Sequence, residues 1–146
     1  MAYCTTTHVN ALLGITLSTA TQPTLTQAGV IVDNVAGEID SALYSIGITS
    51  PAQTATLNLL RHWNTIGAAG QCKMTRGEND ADFNVAQYWL TSYTDWITKV
   101  MTDSAYKTAL LAMESLTDNT LYYGNQVSDG VEDEGDVSFW DEGFQA

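Results

Sequence analysis

Few residues in this 146-residue chain have the types and spacing that catalysis or metal binding needs. The two histidines, His8 and His62, and the two cysteines, Cys4 and Cys72, stand far apart in the sequence. No HxxxH, ExxH or CxxC spacing places such residues together as metal ligands, and two cysteines are too few for a disulfide framework. We therefore expect no metal, no cofactor, structural roles for both histidines, and a reducing compartment.

Acidic residues are the other candidates for chemistry. Asp33, Glu38 and Asp40 would share the polar face of one helix, but nothing in the sequence takes them out of water as paired catalytic carboxylates require. Residues 129–136 alternate acids with glycine as calcium loops do, without the register of an EF-hand loop. The serines lack a G-x-S-x-G setting, and no glycine-rich phosphate loop follows a strand. The sequence thus predicts that the protein is not an enzyme.

The charge of the chain is strongly negative and unevenly distributed. There are 17 Asp and Glu residues against 5 Lys and Arg, for a formal net charge of −12. This balance excludes a nucleic-acid reader, which needs clustered cations, and disfavours docking to an anionic membrane. No apolar run approaches the ~18 residues of a membrane span. More than half of the net charge lies in residues 129–146, whose seven acids have no base among them: Asp129, Glu132, Asp133, Glu134, Asp136, Asp141 and Glu142.

Composition predicts a folded body that associates with itself. A hydrophobic fraction of 45% supports a core within one domain of this length. Charged residues make up only 15% of the chain, well below the ~25% of ordinary soluble proteins. A surface with few charges is poorly protected against association, so we expect self-assembly.

Apolar periodicity and helix-end signals predict five helices and few strand-like runs. Residues 15–24 are predicted to form an extended connector between the first two helices. The first helix is expected to begin after Thr5 or Thr6 and to end at Gly14. The second is expected to run from Thr24 or Thr26 to Ile46, and the third from Ser50-Pro51 to about Arg76. The fourth is expected to run from Asp80 or Asp82 to about residue 102, and the fifth from Asp103 or Ser104 to about residue 116. The predicted fold class is all-α, a compact antiparallel bundle of four to five helices with an extended C-terminal arm.

Two of these helices carry more apolar surface than one buried face needs. On the second helix, Val30, Gly37 and Tyr44 recur every seven residues opposite the main apolar face. They are either scattered exposed residues or a subunit contact. The fourth helix has an apolar arc of roughly 160°, which includes Trp89 and Trp96. These five residues are our candidates for a subunit interface.

The third helix contains the run Gly67-Ala68-Ala69-Gly70. Each glycine inside a helix costs about 0.5–1 kcal/mol relative to alanine. We expect the close approach of a neighbouring helix to compensate, and the alternative is a break or kink at this run. The core face of the helix is predicted from its apolar residues, Ala55, Leu59, Leu60, Trp63, Ile66 and Ala69.

Helical periodicity vanishes after residue 123. The chain is therefore predicted to divide into a helical bundle domain, residues 1–123, and an acidic, aromatic arm, residues 124–146. Exposed aromatic rings gain nothing from solvent but are natural anchors in a partner, and folding on binding is typical of such segments. We predict that the arm binds a partner through its apolar residues, Val137, Phe139, Trp140 and Phe144.

Three segments in the first half of the chain form a recognisable pattern. The chain opens with MAYCTTTHVNALL, and residues Leu60 to Ala69 end in Ile-Gly-Ala-Ala. Between them the second helix carries an A-x-E-I-D-x-A-L signature, made by Ala36, Glu38, Ile39, Asp40, Ala42 and Leu43. Across residues 1–75 this pattern resembles the head–tail connector (adaptor) proteins of tailed phages, which open with a short M-A-Y-x-T-x-x-x-V-x-x-L-L helix.

The resemblance implies a structural protein of the phage neck, made in the host cytoplasm and located in the virion. The family forms a homo-oligomeric ring, usually a dodecamer, which sits below the portal protein and extends the DNA channel. A downstream neck, stopper or tail-completion protein follows, DNA passes through without sequence-specific binding, and no membrane is involved. C-terminal segments in such rings grip the portal or a neighbouring subunit, a role that would fall to the arm.

Two other classes of function stay open. One is another neck or tail-completion protein, which would dock on the tail tube rather than on the portal. The other is a cytosolic acidic helical interaction or inhibitor domain that mimics DNA. A DNA mimic needs acids spaced over a folded surface, whereas here they are concentrated in the arm, which counts against this class.

Overall fold

The computed structural model describes residues 1–77 and 79–116, and these residues fold into helices with no strand among them. The five helices are α1 (Thr6–Leu13), α2 (Leu25–Ser45), α3 (Thr54–Arg76), α4 (Asp80–Thr102) and α5 (Ser104–Ser115). The predicted all-α class is confirmed. Contacts between Cα atoms divide the chain into Met1–Glu114 and Ser115–Ala146. The predicted boundary after residue 123 lies outside the described residues, as does the arm.

Short-range signals set the ends of the first two helices as predicted. Thr5 is the N-cap of α1, and its amide donates to His8 Nδ1 at 3.0 Å. Thr24 caps α2, where its hydroxyl oxygen accepts from the Gln27 amide at 3.2 Å. Gly14 follows α1 at φ 72°, a left-handed conformation that side chains rarely adopt, so the helix stops there.

The third and fourth helices begin elsewhere than predicted. The Ser50-Pro51 start is wrong, because the Ala52 and Gln53 amides donate to the Glu114 carboxylate at 2.5 and 3.4 Å and α3 begins only afterwards. A carboxylate is favourable at a helix N-terminus, and here α5 supplies it. For α4 the N-cap is Asn79 rather than either aspartate, since Asn79 Oδ1 accepts from the Asp82 amide at 2.8 Å.

The connector between α1 and α2 is a folded loop and not the extended segment predicted. The Leu25 amide donates to the Ser18 carbonyl oxygen at 2.9 Å, which brings the two ends of the loop together. The Thr21 hydroxyl accepts from the Ser18 amide and donates to the Pro23 carbonyl at 2.8 Å. The hydroxyl side chains thus supply hydrogen-bond partners for backbone groups of a turn. Local hydrogen bonds of this kind favour loops over strands.

Helices α3 and α4 share the most extensive contact among the described helices, and they are antiparallel. Trp63 stacks on Trp96 with ring centroids 5.2 Å apart. Further along α3, a Cβ added at Gly67 would lie 2.9 Å from Val35 Cγ1 of α2 and 3.1 Å from the Tyr93 ring. At Gly70 it would lie 2.9 Å from the Leu90 side chain. Contacts further along α3 fall earlier along α4, so the two helices run antiparallel. The glycines of α3 permit the close approach that was predicted, and α3 is unbroken at this run.

The buried face of α3 is wider than the one predicted and includes polar residues. Of the predicted residues, two are buried and three pack against the core: Leu60 and Ala69, and Leu59, Trp63 and Ile66. Ala55 is exposed, while its polar neighbour Thr56 and, two turns on, Asn64 are fully buried. Asn64 Oδ1 accepts from the backbone amides of Tyr3 and Cys4 at 2.9 and 3.0 Å, and its Nδ2 donates to the Val32 carbonyl at 3.1 Å. One buried amide therefore joins the opening segment to α2 and α3.

Candidate functional site

Both histidines line one groove between α1 and α3. His8 projects from α1, and Arg61 and His62 project from α3, around a space of about 450 Å³. The remaining lining is small, apolar or uncharged, with no carboxylate among the described lining residues: Ala11, Leu12, Asn58, Thr65 and Ile66. Because the groove presents the Arg61 guanidinium, two imidazole rings and apolar side chains, it is suited to binding an acidic ligand with apolar groups.

Each side chain at the rim of this groove also has a partner within the fold. His8 Nδ1 accepts from the Thr5 amide, which places His8 in the cap of α1 as expected for a structural histidine. The ring of His62 meets the edge of Trp63 with centroids 5.1 Å apart. The Arg61 guanidinium donates to the Asn58 side-chain oxygen. These contacts orient the groups at the surface and leave them accessible.

The three carboxylates of α2 do not form a catalytic pair. The hydroxyl of Tyr93 donates to Glu38 Oε2 at 2.9 Å, and the hydroxyl of Tyr3 donates to Asp40 Oδ1. Asp33 is exposed. Burial raises the pKa of both tyrosine hydroxyls, and the neighbouring carboxylates raise each pKa further. Glu38 and Asp40 thus hold α2 to α4 and to the opening segment.

The two cysteines are free and buried in the core. Burial raises the pKa of Cys72 to about 11, and the proximity of Cys4 adds to the shift. Burial likewise raises the pKa of the Cys4 thiol. Such thiols are poor nucleophiles at neutral pH, because the thiolate is the reactive form. They are core packing groups in this fold.

The raised thiol pKa predicts a loss of stability in alkali. Cys72 stays protonated in the folded chain up to about pH 11 but ionises nearer pH 9 when unfolded, so stability is lost as the pH rises between these values. From pH 9 to 10.5 we expect the wild-type free energy of unfolding to fall by about 1.5 kcal/mol more than that of Cys72→Ala. Urea unfolding followed by circular dichroism under reducing conditions measures the difference, and parallel pH profiles would contradict the expectation.

The described residues contain neither a metal-binding cluster nor a membrane-spanning helix. Within residues 1–77 and 79–116, no three His, Cys, Asp or Glu side chains come together as a set that could hold a metal ion. None of the helices in that part of the chain is both long and apolar enough to cross a membrane. The calcium-like sequence at residues 129–136 lies outside the described residues.

On α2, Val30, Gly37 and Tyr44 recur every seven residues and form a seam that is exposed. Val30 is 54% exposed and Tyr44 is 72% exposed, and Gly37 between them is exposed as well. On α4 the wide apolar arc is only partly used in the core, because Phe83, Val85 and Met101 remain exposed. Both helices therefore present apolar surface that the subunit itself does not cover.

The two tryptophans of the candidate interface differ in their surroundings. Trp96 is only 4% exposed, and its Nε1 donates to the Tyr106 hydroxyl at 2.8 Å, so we assign it to packing within the subunit. Trp89 is half-buried, and the amine of Lys73 lies 6.0 Å above its ring. Trp89 thus keeps surface for a contact. The four predicted arm residues, Val137, Phe139, Trp140 and Phe144, lie outside the described residues.

Sequence reasoning did not find the groove. On α3 its lining residues follow an i, i+3, i+4 pattern from Asn58 to Ile66, which is visible as a stripe. Nothing in that stripe indicates that α1 lies beside it, since α1 is about fifty residues away in the sequence. Comparison of the chain with protein-family models, with curated proteins and with solved structures found no match.

Proposed function

We propose that the protein is a head–tail connector (adaptor) of a tailed phage. It assembles as a ring, most simply a dodecamer, below the portal in the neck of the virion, where it extends the DNA channel and meets the next neck or tail-completion protein. The observation that carries the proposal is the contact between the two most distinctive parts of the family-like pattern: the Tyr3 hydroxyl of the opening segment donates to Asp40 of the α2 signature.

The other residues of the pattern support the same view. In the α2 signature, Ala36, Ile39 and Leu43 are buried, and Glu38 accepts from Tyr93. The opening segment is held in place by Asn64 of α3. The three segments that resemble the connector family therefore form one structural unit, as expected if they were retained together to build this body.

The exposed apolar surfaces are suited to a ring. A closed ring needs head-to-tail contacts between two different surfaces of each subunit. The seam of Val30, Gly37 and Tyr44 on α2 is one candidate surface, and the exposed apolar residues of α4, Phe83 and Tyr88, are another. The net charge of −12 also suits a channel protein, because an acidic wall repels DNA and lets it slide.

Charge placed in the α2 seam should dissociate the ring. We expect Val30→Asp and Tyr44→Asp each to prevent ring formation on the cognate portal, because an unpaired carboxylate would be buried between subunits. Negative-stain electron microscopy of the protein mixed with portal gives the readout. Leu111→Asp, at an exposed position on α5, is the matched control and should leave rings intact.

Three outcomes would contradict the proposal or its interface. Wild-type protein that stays monomeric and forms no portal complex would indicate a stand-alone interaction domain. Docking on tail tubes instead of portals would indicate another neck or tail-completion protein. Rings that form equally well with Val30→Asp and Tyr44→Asp would show that the interface lies elsewhere.

A further inference from the structure

The groove between α1 and α3 is unusual for so acidic a chain. Its rim carries Arg61 and His62, with His8 opposite, and no carboxylate lines it among the described residues. Lys73, by comparison, is paired with Asp82 at 2.7 Å. Arg61 has an uncharged partner, Asn58, so its positive charge is not neutralised by an acid of the described part. The groove therefore combines available positive charge with the exposed apolar side chain of Leu12.

The arm has the complementary chemistry. Residues 129–146 contain seven acids and no base, and residues 137–144 place Phe139 and Trp140 directly before the last two acids, Asp141 and Glu142. An aromatic pair followed by two carboxylates matches an apolar groove with Arg61 at its rim. Thirty residues follow Leu116, and such a length can span up to about 100 Å when extended. The arm is therefore long enough to reach a neighbouring subunit.

We propose that residues 137–144 in the arm of one copy bind in the α1–α3 groove of a neighbouring copy. The inference rests on the proposed ring and names the partner of the arm within it. Each copy has one arm and one groove, so in a closed ring every groove is filled and no arm is left unbound. Phe139 and Trp140 contact the apolar lining, and the carboxylates of Asp141 and Glu142 lie at Arg61 and His62.

Cross-linking between differently labelled copies tests the contact directly. Full-length protein with p-benzoylphenylalanine in place of Trp140 is mixed with ¹⁵N-labelled full-length protein, assembled on portal and irradiated. We expect mass spectrometry to find the unlabelled arm joined to labelled peptides that contain residues 8–12 or 58–66. The same cross-linker in place of Thr108, an exposed position on α5, is the control and should not reach these peptides.

A charge reversal tests the electrostatic part of the proposal. Arg61→Glu should weaken self-association about tenfold in sedimentation at low salt, because it sets like charges side by side. Lys107→Glu makes the same change of charge on α5 and should have little effect. Combining Arg61→Glu with Asp141→Arg and Glu142→Arg should restore association. Circular dichroism verifies that each variant is folded.

The possible results separate this inference from the proposed function. Rings whose arms cross-link only within their own chain, to the portal, to other surfaces, or to nothing would overturn the arm–groove contact while leaving the connector proposal intact. Equal association of Arg61→Glu and Lys107→Glu would also overturn it. Monomers that form no ring with or without portal would overturn the proposed function itself, and the inter-subunit contact with it.

Discussion

Gly67→Leu is expected to lower the free energy of unfolding by about 3 kcal/mol, the upper part of the usual range for overpacking a core. Even a Cβ at this position would lie 2.9 Å from Val35 Cγ1 and 3.1 Å from the Tyr93 ring. Val35 and Tyr93 are themselves buried, and neither a β-branched side chain nor an aromatic ring can move aside cheaply. Helices α2 and α4 would both have to shift away from α3.

Gly37→Leu is the matched control, because the same substitution is made inside a helix where space is open. A Cβ at Gly37 meets no atom within 4 Å. Leucine favours helix over glycine, so this variant should be as stable as the wild type or more stable by up to about 1 kcal/mol. Urea denaturation at low protein concentration measures both. Equal midpoints for the two variants would contradict the close approach of the three helices.

Asn64→Leu is expected to cost about 3 kcal/mol or more and to release the opening segment. The substitution removes the acceptor of two backbone amides, those of Tyr3 and Cys4, and each buried amide left without a partner costs about 1–3 kcal/mol. The loss at the Val32 carbonyl is smaller, because that oxygen also belongs to the hydrogen-bond ladder of α2.

Hydrogen exchange distinguishes this effect from general destabilisation. In Asn64→Leu the amides of Tyr3 and Cys4 should exchange faster by a larger factor than the amides at the centre of α3. Asn58→Leu, two turns earlier on an exposed part of the same helix, should change stability by less than about 0.5 kcal/mol. If both variants lose the same stability, or if the Tyr3 and Cys4 amides stay protected, Asn64 does not hold the opening segment.

The parts of the fold that depend on local chemistry were predictable from the sequence. Thr24 begins α2 because its hydroxyl accepts from the Gln27 amide, and Thr5 begins α1 with its own amide bound by His8, three positions on. Gly14 and Gly47 end or follow helices at φ 72° and 94°, conformations that glycine adopts at low cost. Such signals act within four residues, so they can be recognised without knowing the tertiary structure.

The parts that depend on distant residues were not predictable. The start of α3 is decided by Glu114, which is about sixty residues away and binds the Ala52 and Gln53 amides. The core face of α3 includes two polar residues, Thr56 and Asn64, that periodicity does not predict, because periodicity counts apolar residues only. Asn64 belongs in the core because its hydrogen-bond partners lie on other segments, the opening segment and α2.

The candidate site was predictable only in part. Spacing alone indicated the seam of Val30, Gly37 and Tyr44, and it is exposed as a contact surface must be. Periodicity also made Trp96 a candidate interface residue, because a large aromatic side chain is typical of an interface as well as of a core. Its contacts with Trp63 and Tyr106 show that it packs within the subunit. The α1–α3 groove depends on packing between elements about fifty residues apart, which periodicity within one helix does not encode.

The open space around Gly37 has an evolutionary consequence. Sterics oppose the replacement of Gly67, because a larger residue there would disturb three helices at once. No such penalty protects Gly37, and alanine there would stabilise α2 by about 0.5–1 kcal/mol. In descendants of a common ancestor, neutral drift should therefore replace Gly37 often and Gly67 rarely. A lineage that kept both glycines would reveal selection at Gly37 by something outside the subunit.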